Sequence, residues 1–193
     1  MILYQGAEAI IEKIDNKVIK RRIPKSYRIK ELDEKLRRER NKKEIKILKE
    51  VRRLGVNVPQ VFEEGEFEFS MEFIDGRRLK EIINSDNFSF FAKEIAKIVS
   101  TLHSQNIVHN DLTLSNMLLS GDKIYLIDFG LSDFETSVEK KAEDLLTLYY
   151  SVKSSFPEFW EKFIELFFSE YEKSYPEGIK VIERLKKILK RGR

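Results

Sequence analysis

The run His109-Asn110-Asp111-Leu112-Thr113-Leu114-Ser115-Asn116, followed further on by Asp128-Phe129-Gly130, places an acid, an amide and a second acid at spacings that suit phosphoryl transfer. Asp111 and Asn116 have four residues between them, the interval of a phosphoryl-transfer catalytic loop. In such a loop Asp111 accepts or orients the proton of the attacking hydroxyl, and Asn116 holds a magnesium ion. Magnesium is a hard cation that takes oxygen ligands and meets only one or two protein carboxylates beside substrate phosphates. Asp128 is placed to be that carboxylate. Met117-Leu118-Leu119 and Ile124-Tyr125-Leu126-Ile127, parted by the turn-like Ser120-Gly121-Asp122-Lys123, predict a short hairpin that brings Asn116 and Asp128 together. Each residue alone says little, since Asp-Phe-Gly commonly ends a strand and a single histidine such as His109 is usually a packed loop residue. The joint spacing carries the inference.

These residues need elements to hold them. Residues 1 to 22 alternate between β-favouring pieces and turns: Ile2-Leu3-Tyr4, Ile10-Ile11-Glu12-Lys13-Ile14, the turn Asp15-Asn16, then Val18-Ile19-Lys20. A small antiparallel sheet is expected. Leu32, Leu36, Ile45, Leu48, Val51 and Leu54 recur at mostly helical spacing, with Gly55 as a stop, so a helix is predicted from about 31 to 54. Residues 61 to 74 alternate again, with 66 to 73 reading as a strand before the break Asp75-Gly76. Ala92, Ile95, Ala96, Val99 and Leu102 then mark a helix from about 89 to 105 that leads into the catalytic loop, and further helices are expected at about 139–153, 157–173 and 177–190. The reading is an α+β chain of two lobes: a small β-rich lobe with one long helix over 1–74, and a reduced helical lobe over 75–193.

A nucleotide on this plan needs a cation over its phosphates. A strand lysine held by a helix carboxylate supplies one, because the ion pair fixes an otherwise floppy ammonium. Lys20 has that context. The helix offers Glu31, Glu34, Glu39, Glu44 and Glu50 as partners, and Glu44 shares a face with Leu48 and Val51, which points it inward. Gln5-Gly6-Ala7-Glu8-Ala9 is the candidate loop over the phosphates, with one glycine where the usual loop has three, so fewer backbone amides can approach closely. Met71-Glu72-Phe73-Ile74 ends the strand entering the hinge, where main-chain groups of Glu72 and Ile74 can meet an adenine edge and Met71 borders its pocket. Only Leu131 to Val138 separate Asp128-Phe129-Gly130 from the helical Glu139-Lys140-Lys141-Ala142-Glu143-Asp144. A long activation segment and an Ala-Pro-Glu motif are therefore absent, which argues against ordinary peptide docking and against control by loop phosphorylation. Asp144 either braces the catalytic loop from below or sits on a helix surface.

With 193 residues, of which 41% are apolar, the chain can bury a sizeable core. It contains no cysteine, which excludes a disulfide framework and a thiolate metal site. The absence of an apolar leader or of a run long enough to cross a membrane gives the expectation of a soluble, cytoplasmic protein without a membrane partner. Net charge is only +3, yet the bases crowd the first half, from Lys17 and Arg21 through Arg37, Arg38, Arg40, Lys42 and Lys43. Glu31, Asp33, Glu34, Glu39 and Glu44 interleave with them, so an anion or nucleic-acid surface and a solvated helix face both remain open.

The residues together resemble the small atypical kinases of the KEOPS (EKC) complex, the PRPK type, over nearly the whole chain. Gln5-Gly6-Ala7-Glu8-Ala9 is similar to that family's phosphate loop, Lys20-Arg21-Arg22-Ile23-Pro24-Lys25 with Tyr27-Arg28 to its lysine strand and basic stretch, and Leu36-Arg37-Arg38-Glu39-Arg40 followed by Glu44 to its helix signature. The shortened tail after Gly130 matches as well. The resemblance implies a two-lobed protein-kinase-like fold lacking the activation segment, Lys20 and Glu44 as the phosphate-positioning pair, Asp111 as base, Asn116 and Asp128 as magnesium ligands, and ATP with Mg2+ as cofactors. Asn110 sits where the family often has glycine and ordinary kinases have arginine. The resemblance further implies a serine/threonine kinase or ATPase working beside the subunit that transfers threonylcarbamoyl to tRNA and beside other KEOPS subunits. Lys186, Lys187, Lys190, Arg191 and Arg193 resemble a basic tail that contacts tRNA, although a solvated helix end fits the same charges. The alternatives are a small-molecule kinase of the aminoglycoside or choline type, for which the stretch after Gly130 leaves little room, and a nucleotide-bound adaptor that grips tRNA without turnover.

Overall fold

The computed structural model of the chain describes residues 1–6 and 8–191. Ala7 of the phosphate loop and Arg193 of the basic tail lie outside the described residues. The chain divides into two compact units, the first formed by Met1–Asp75 with Tyr125–Gly130, the second by Gly76–Ile124 with the chain from Leu131 onward.

In the first unit, β1 (Ile2–Gln5), β2 (Ala9–Ile14), β3 (Lys17–Arg22), β4 (Val61–Glu64) and β5 (Glu68–Glu72) form one antiparallel sheet in the order β1-β2-β3-β5-β4. Side chains alternate across a strand, so Val18, Lys20 and Arg22 of β3 all point to the buried face. The turn before β3 is made by Asp15 at φ +52°, a left-handed conformation that aspartate tolerates because its short side chain bonds locally. α1 (Lys30–Arg53) presents Asn41, Glu44, Ile45, Leu48 and Val51 inward at helical spacing. It stops where the sequence predicts: Gly55 takes φ +84°, its N–H donates to the Arg52 carbonyl at 3.0 Å, and the Val56 N–H donates to the Val51 carbonyl at 3.3 Å. The core of the unit gathers Val18, Ile47, Leu48, Val51, Val58 and Phe69. The sequence gives one strand over 66–73, whereas the structure has a hairpin of β4 and β5 turning at Gly65, whose N–H donates to the Glu68 carbonyl at 2.8 Å. β4 escapes the pattern because it is an edge strand with mostly exposed side chains.

The second unit opens with β6 (Arg77–Arg78) and the single turn α2 (Leu79–Ile82), then α3 (Phe88–Ser104), β7 (Ile107–Val108), a 3-10 turn at Leu114–Asn116, β8 (Met117–Ser120) and the start of β9 (Lys123–Leu126). β10 (Asp133–Phe134), α4 (Val138–Ser155), α5 (Trp160–Ser174) and α6 (Gly178–Arg191) complete it. Each of the four predicted helices of this half is present within three residues of its expected ends. α3 packs on α5 and α4 on α6. Ala92, Ile95, Ala96, Val99 and Leu102 are fully buried on α3, and Phe163, Phe167 and Tyr171 on α5. Phe88, Phe156 and Phe159 stack, with ring centroids 5.0 Å apart in each of the pairs Phe88–Phe159 and Phe156–Phe159. Ser137 caps α4 by accepting from the Lys140 N–H. β10 pairs antiparallel with β7, an unpredicted contact, since strands of two residues carry no period. Among the described residues no helix is long and apolar enough to cross a membrane.

Candidate active site

The first unit builds an ion cluster around Lys20. Its Nζ donates to Glu44 Oε1 at 2.6 Å and to Asp128 Oδ1 at 2.9 Å. The other oxygen of Glu44 accepts from Arg22 Nη2 at 2.6 Å. Lys20, Arg22 and Glu44 are buried, while the Asp128 side chain is 48% exposed. Burial alone pushes the Lys20 ammonium pKa down, but the charges of Glu44 and Asp128 and their hydrogen bonds outweigh it and hold the pKa above its usual value. Burial dominates at Arg22 and lowers its pKa against the pull of Glu44. One glutamate thus serves two buried cations, so removing Glu44 would take from Arg22 its carboxylate partner and leave Lys20 with Asp128 alone. Of the five glutamates offered by α1, this is the one that meets Lys20. Arg22 is a site residue the sequence reading missed, and its two-residue offset from Lys20 along β3 was the available signal.

Asp128 adopts φ +61° and accepts a long, 3.4 Å bond from the Gly130 N–H. A Cβ at Gly130 would stand 3.1 Å from Lys20 Nζ and 3.2 Å from Asp128 Oδ1, so the glycine leaves the room in which lysine and carboxylate meet.

The loop between β1 and β2 closes with the Gly6 N–H donating to the Ala9 carbonyl at 3.1 Å. Glu8 turns its carboxylate to Arg40 Nη1 at 2.7 Å and to Lys25 Nζ at 3.5 Å, which ties the loop to α1. Arg22 in turn donates to the Arg40 carbonyl at 3.3 Å, so the anchor of the loop and the lysine cluster share one arginine. At the hinge, Met71 pairs across the sheet with Val18 and Val61. The Glu72 and Phe73 N–H groups already donate to the Gln60 and Asn16 carbonyls at 2.8 and 3.0 Å. That narrows the expectation for an adenine edge to Ile74, which lies past the end of β5, and to carbonyl groups.

The second unit builds the catalytic loop. Asn116 Nδ2 donates to the Asp111 carbonyl at 2.9 Å and to Asp111 Oδ2 at 2.8 Å, locking acid and amide together. Since the amide nitrogen is turned to Asp111, the amide oxygen is what Asn116 offers a cation. Beneath the loop, Asp144 is 1% exposed and accepts from the His109 and Asn110 N–H groups, each at 2.7 Å. Asp144 is thus buried under the loop and not on a helix surface. His103 Nε2 lies 3.2 Å from the Asp144 carboxylate and its Nδ1 2.7 Å from the Tyr171 hydroxyl, all buried. With Asp144 charged, Nε2 carries the proton and Nδ1 accepts from Tyr171. Burial raises the Tyr171 pKa, which keeps the phenol a donor. Asn110 takes φ +61°, which explains an asparagine where glycine is the common alternative. Its side chain donates to the Leu131 carbonyl at 2.9 Å, and Ser132 Oγ donates to the His109 carbonyl at 3.0 Å. With the β7–β10 pair, these bonds fasten the short segment after Gly130 to the loop. His103, Tyr171 and Ser132 had no sequence signal beyond their types.

Lys186, Lys187, Lys190 and Arg191 are exposed along α6, whose Val181, Ile182 and Leu185 face inward.

Comparison with known proteins defines the class. A model of the protein kinase domain matches residues 12–154. Two solved structures share the fold: the Rio2 kinase complex with ADP, Mg2+ and phosphoaspartate from Chaetomium thermophilum, at a TM-score of 0.66 and 13% identity over 97% of this chain and 69% of that one, and WaaP in complex with acyl carrier protein, at 0.66 and 14% over 97% and 87%. Both units therefore compose a protein-kinase-like fold with a β-sheet N-terminal part and a helical C-terminal part. Nearer in sequence, a probable serine/threonine-protein kinase Bud32 homolog of Archaeoglobus fulgidus is 40% identical over 100% of this chain and 96% of that protein. The KEOPS complex subunit Bud32 of Pyrococcus abyssi is 37% identical over 100% and 95%. The chain belongs to the Bud32 family of protein kinases. It also aligns with a probable bifunctional tRNA threonylcarbamoyladenosine biosynthesis protein of Methanosarcina mazei, 38% identical over all of this chain but only 35% of that longer protein. These names favour a Bud32-type kinase over the small-molecule alternative.

Proposed function

We propose that the chain is an ATP- and magnesium-dependent serine/threonine kinase or ATPase that serves as the regulatory subunit of a cytoplasmic KEOPS complex, supporting threonylcarbamoyladenosine modification of tRNA. The observation that carries this reading is the pairing of a complete lysine cluster, Lys20 with Glu44 and Asp128, with a catalytic loop whose acid and amide are locked at 2.8 Å. In this reading Glu44 holds Lys20 for the phosphates, Asp111 takes the acceptor proton, and the main chain of Gln5, Gly6 and Ala9 lines the phosphates while Glu8 anchors that loop. Met71, Glu72 and Ile74 border the adenine.

Each of the two expected ligands suits magnesium by its chemistry: Asp128 of the first unit presents a half-exposed carboxylate and Asn116 of the second an amide oxygen, both hard donors. The bound cation would neutralise the charge that develops on the phosphates. Asp144, acting through the loop, keeps Asp111 where the acceptor hydroxyl must come. The names of the relatives support a place beside the threonylcarbamoyl-transferring subunit and other KEOPS subunits, and the exposed Lys186, Lys187, Lys190 and Arg191, with Arg193, supply a tRNA-contacting tail.

ATP turnover of the wild type, of Asp111→Ala and of Asp128→Ala, each with and without the partner subunit and tRNA, is the test. Loss in both variants is expected; equal turnover in all three ends the enzymatic reading. For the tail, tRNA binding across a salt series should show a steep negative slope that shallows when the lysines are removed.

A further inference from the structure

Among the described residues, a groove of about 990 Å3 in the second unit is lined only by lysines and hydroxyl-bearing residues. Lys80 comes from α2, Thr113 and Ser115 from the catalytic loop, and Tyr150, Ser151 and Lys153 from the last turns of α4. Among the described residues no carboxylate lines it. Among the described residues neither Lys80 nor Lys153 has a carboxylate within 4.0 Å, whereas Lys17, Lys97 and Lys140 are ion-paired. Lys153 instead lies 4.9 Å from the Trp160 ring centroid, which holds its ammonium at the edge of the groove. Ser151 Oγ accepts the Leu114 N–H at 3.0 Å, which leaves its proton to donate outward. The hydroxyls of Thr113 and Ser115 have no hydrogen-bond partner among the described residues.

Thr147 and Ser154 spend their protons on the Glu143 and Ser151 carbonyls, so the lining offers two ammonium groups with the hydroxyls of Thr113, Ser115 and Ser151 and, among the described residues, no competing acceptor charge, the chemistry of an anion site. Its place decides whose anion. Thr113 and Ser115 lie between Asp111 and Asn116, so an occupant of the groove belongs to the molecule presenting its hydroxyl to Asp111. We infer that this groove is an acceptor subsite for a phosphomonoester on a polypeptide, a phosphoserine or phosphothreonine flanking the residue to be modified. The inference rests on the kinase reading above. A phosphomonoester brings close to two negative charges and three acceptor oxygens to one point, which matches two ammonium groups among hydroxyls. A nucleic-acid strand needs repeated phosphate contacts along its length, and this groove supplies one. It also answers how an acceptor is held when the long docking segment is missing: the floor beside the base does the holding.

The test uses the full chain and a fluorescein-labelled glycine- and alanine-rich decapeptide carrying one phosphoserine, with serine and aspartate versions alongside, read by anisotropy. The phosphoserine peptide should bind about tenfold tighter than the serine one and measurably tighter than the aspartate one. The double substitution Lys80→Ala with Lys153→Ala should abolish about tenfold of that affinity, while Lys162→Ala with Lys173→Ala, remote exposed lysines, should leave it. Circular dichroism checks that the variants are folded. Equal binding of phosphoserine and serine peptides, equal loss in the remote double variant, or displacement of the phosphopeptide by single-stranded RNA at equal or lower concentration would each overturn the inference. Binding of Mg·ATP to the wild type, measured separately, distinguishes this failure from failure of the kinase reading.

Discussion

Replacing Asp144 with asparagine tests whether the brace positions the catalytic loop or merely fills space. Asp144 Oδ1 accepts one backbone N–H, from Asn110 at 2.7 Å, and Oδ2 accepts that of His109 at 2.7 Å together with His103 at 3.2 Å. An asparagine keeps one acceptor oxygen, which is best spent at the doubly bonded Oδ2 position. Its NH2 then faces the Asn110 N–H, donor against donor. One charge-assisted bond is lost, about 1.5 to 3 kcal/mol, and two others weaken from charged to neutral, for a total on the order of 3 kcal/mol. In a domain of this length that corresponds to a fall in Tm of about 6–12 °C, within the reserve of about 5–15 kcal/mol that keeps a domain folded. The variant should therefore fold but melt early. Because the strain falls on the peptide groups directly before Asp111, kcat for ATP turnover, measured well below both melting midpoints, should fall about tenfold or more. KM for ATP should change little, since the lysine cluster lies in the first unit. Melting within 2 °C of the wild type would refute the energetic argument. Early melting with unchanged kcat would refute the positioning argument and leave Asp144 a stability residue.

Glu44→Gln leaves Arg22 buried beside a neutral partner and Lys20 with Asp128 as its one carboxylate, and should lower stability by about 3–5 kcal/mol in urea titrations; a loss below about 1 kcal/mol would mean that Asp128 alone compensates both cations. Asn110→Gly relieves the left-handed strain and loses the bond to the Leu131 carbonyl, two effects of opposite sign that leave Tm nearly unchanged, whereas Asn110→Val, β-branched at φ +61°, should lower Tm and turnover together, and a silent valine would show that the loop relaxes out of the left-handed region. At Asp33 burial pushes the carboxyl pKa up, but the hydrogen bond from Arg37 Nε at 2.7 Å, the Lys25 N–H and the charges of Arg37 and Arg28 hold it below the usual range. A lowered carboxylate pKa contributes stability that is present above the unfolded-state pKa and lost as pH falls through the folded one. The stability gap between wild type and Asp33→Asn should thus be open at pH 7 and close below the usual carboxylate range; a gap independent of pH would remove Asp33 from the acid response.

What the sequence made legible is what chemistry fixes along a short stretch of chain. Asp111 and Asn116 sit in one loop, so their spacing is itself the geometry, and Lys20 announces itself by parity on a strand. Glu44 needed only the face of one helix. The unread part depends on contacts between distant positions: Tyr171 lies 68 residues from the His103 it bonds, and Asp144 reaches back 35 residues to His109. Neither has a local pattern, because a buried polar relay is set by which helices pack together, not by any period within one. The strand β4 and the β7–β10 pair were missed for a related reason. An exposed edge and a two-residue ladder carry no alternation of polar and apolar side chains.

The left-handed backbone at Asp128 limits which acid can stand there. A magnesium ion would accept a glutamate oxygen as readily as an aspartate one, so the metal does not choose between them. At φ +61° the choice falls to the turn: aspartate is short enough to accept the Gly130 N–H from its own side chain and offset part of the cost, while glutamate reaches past that donor and bears the strain of about 1–2 kcal/mol alone. Substitution at this position is consequently constrained twice, once by charge and once by main-chain shape. The residues that satisfy the shape, glycine and asparagine, lack the charge, and the residue that supplies the charge violates the shape. Aspartate alone meets both demands at this position, whereas Glu44, the other carboxylate on Lys20, stands within a regular helix whose backbone makes no such demand.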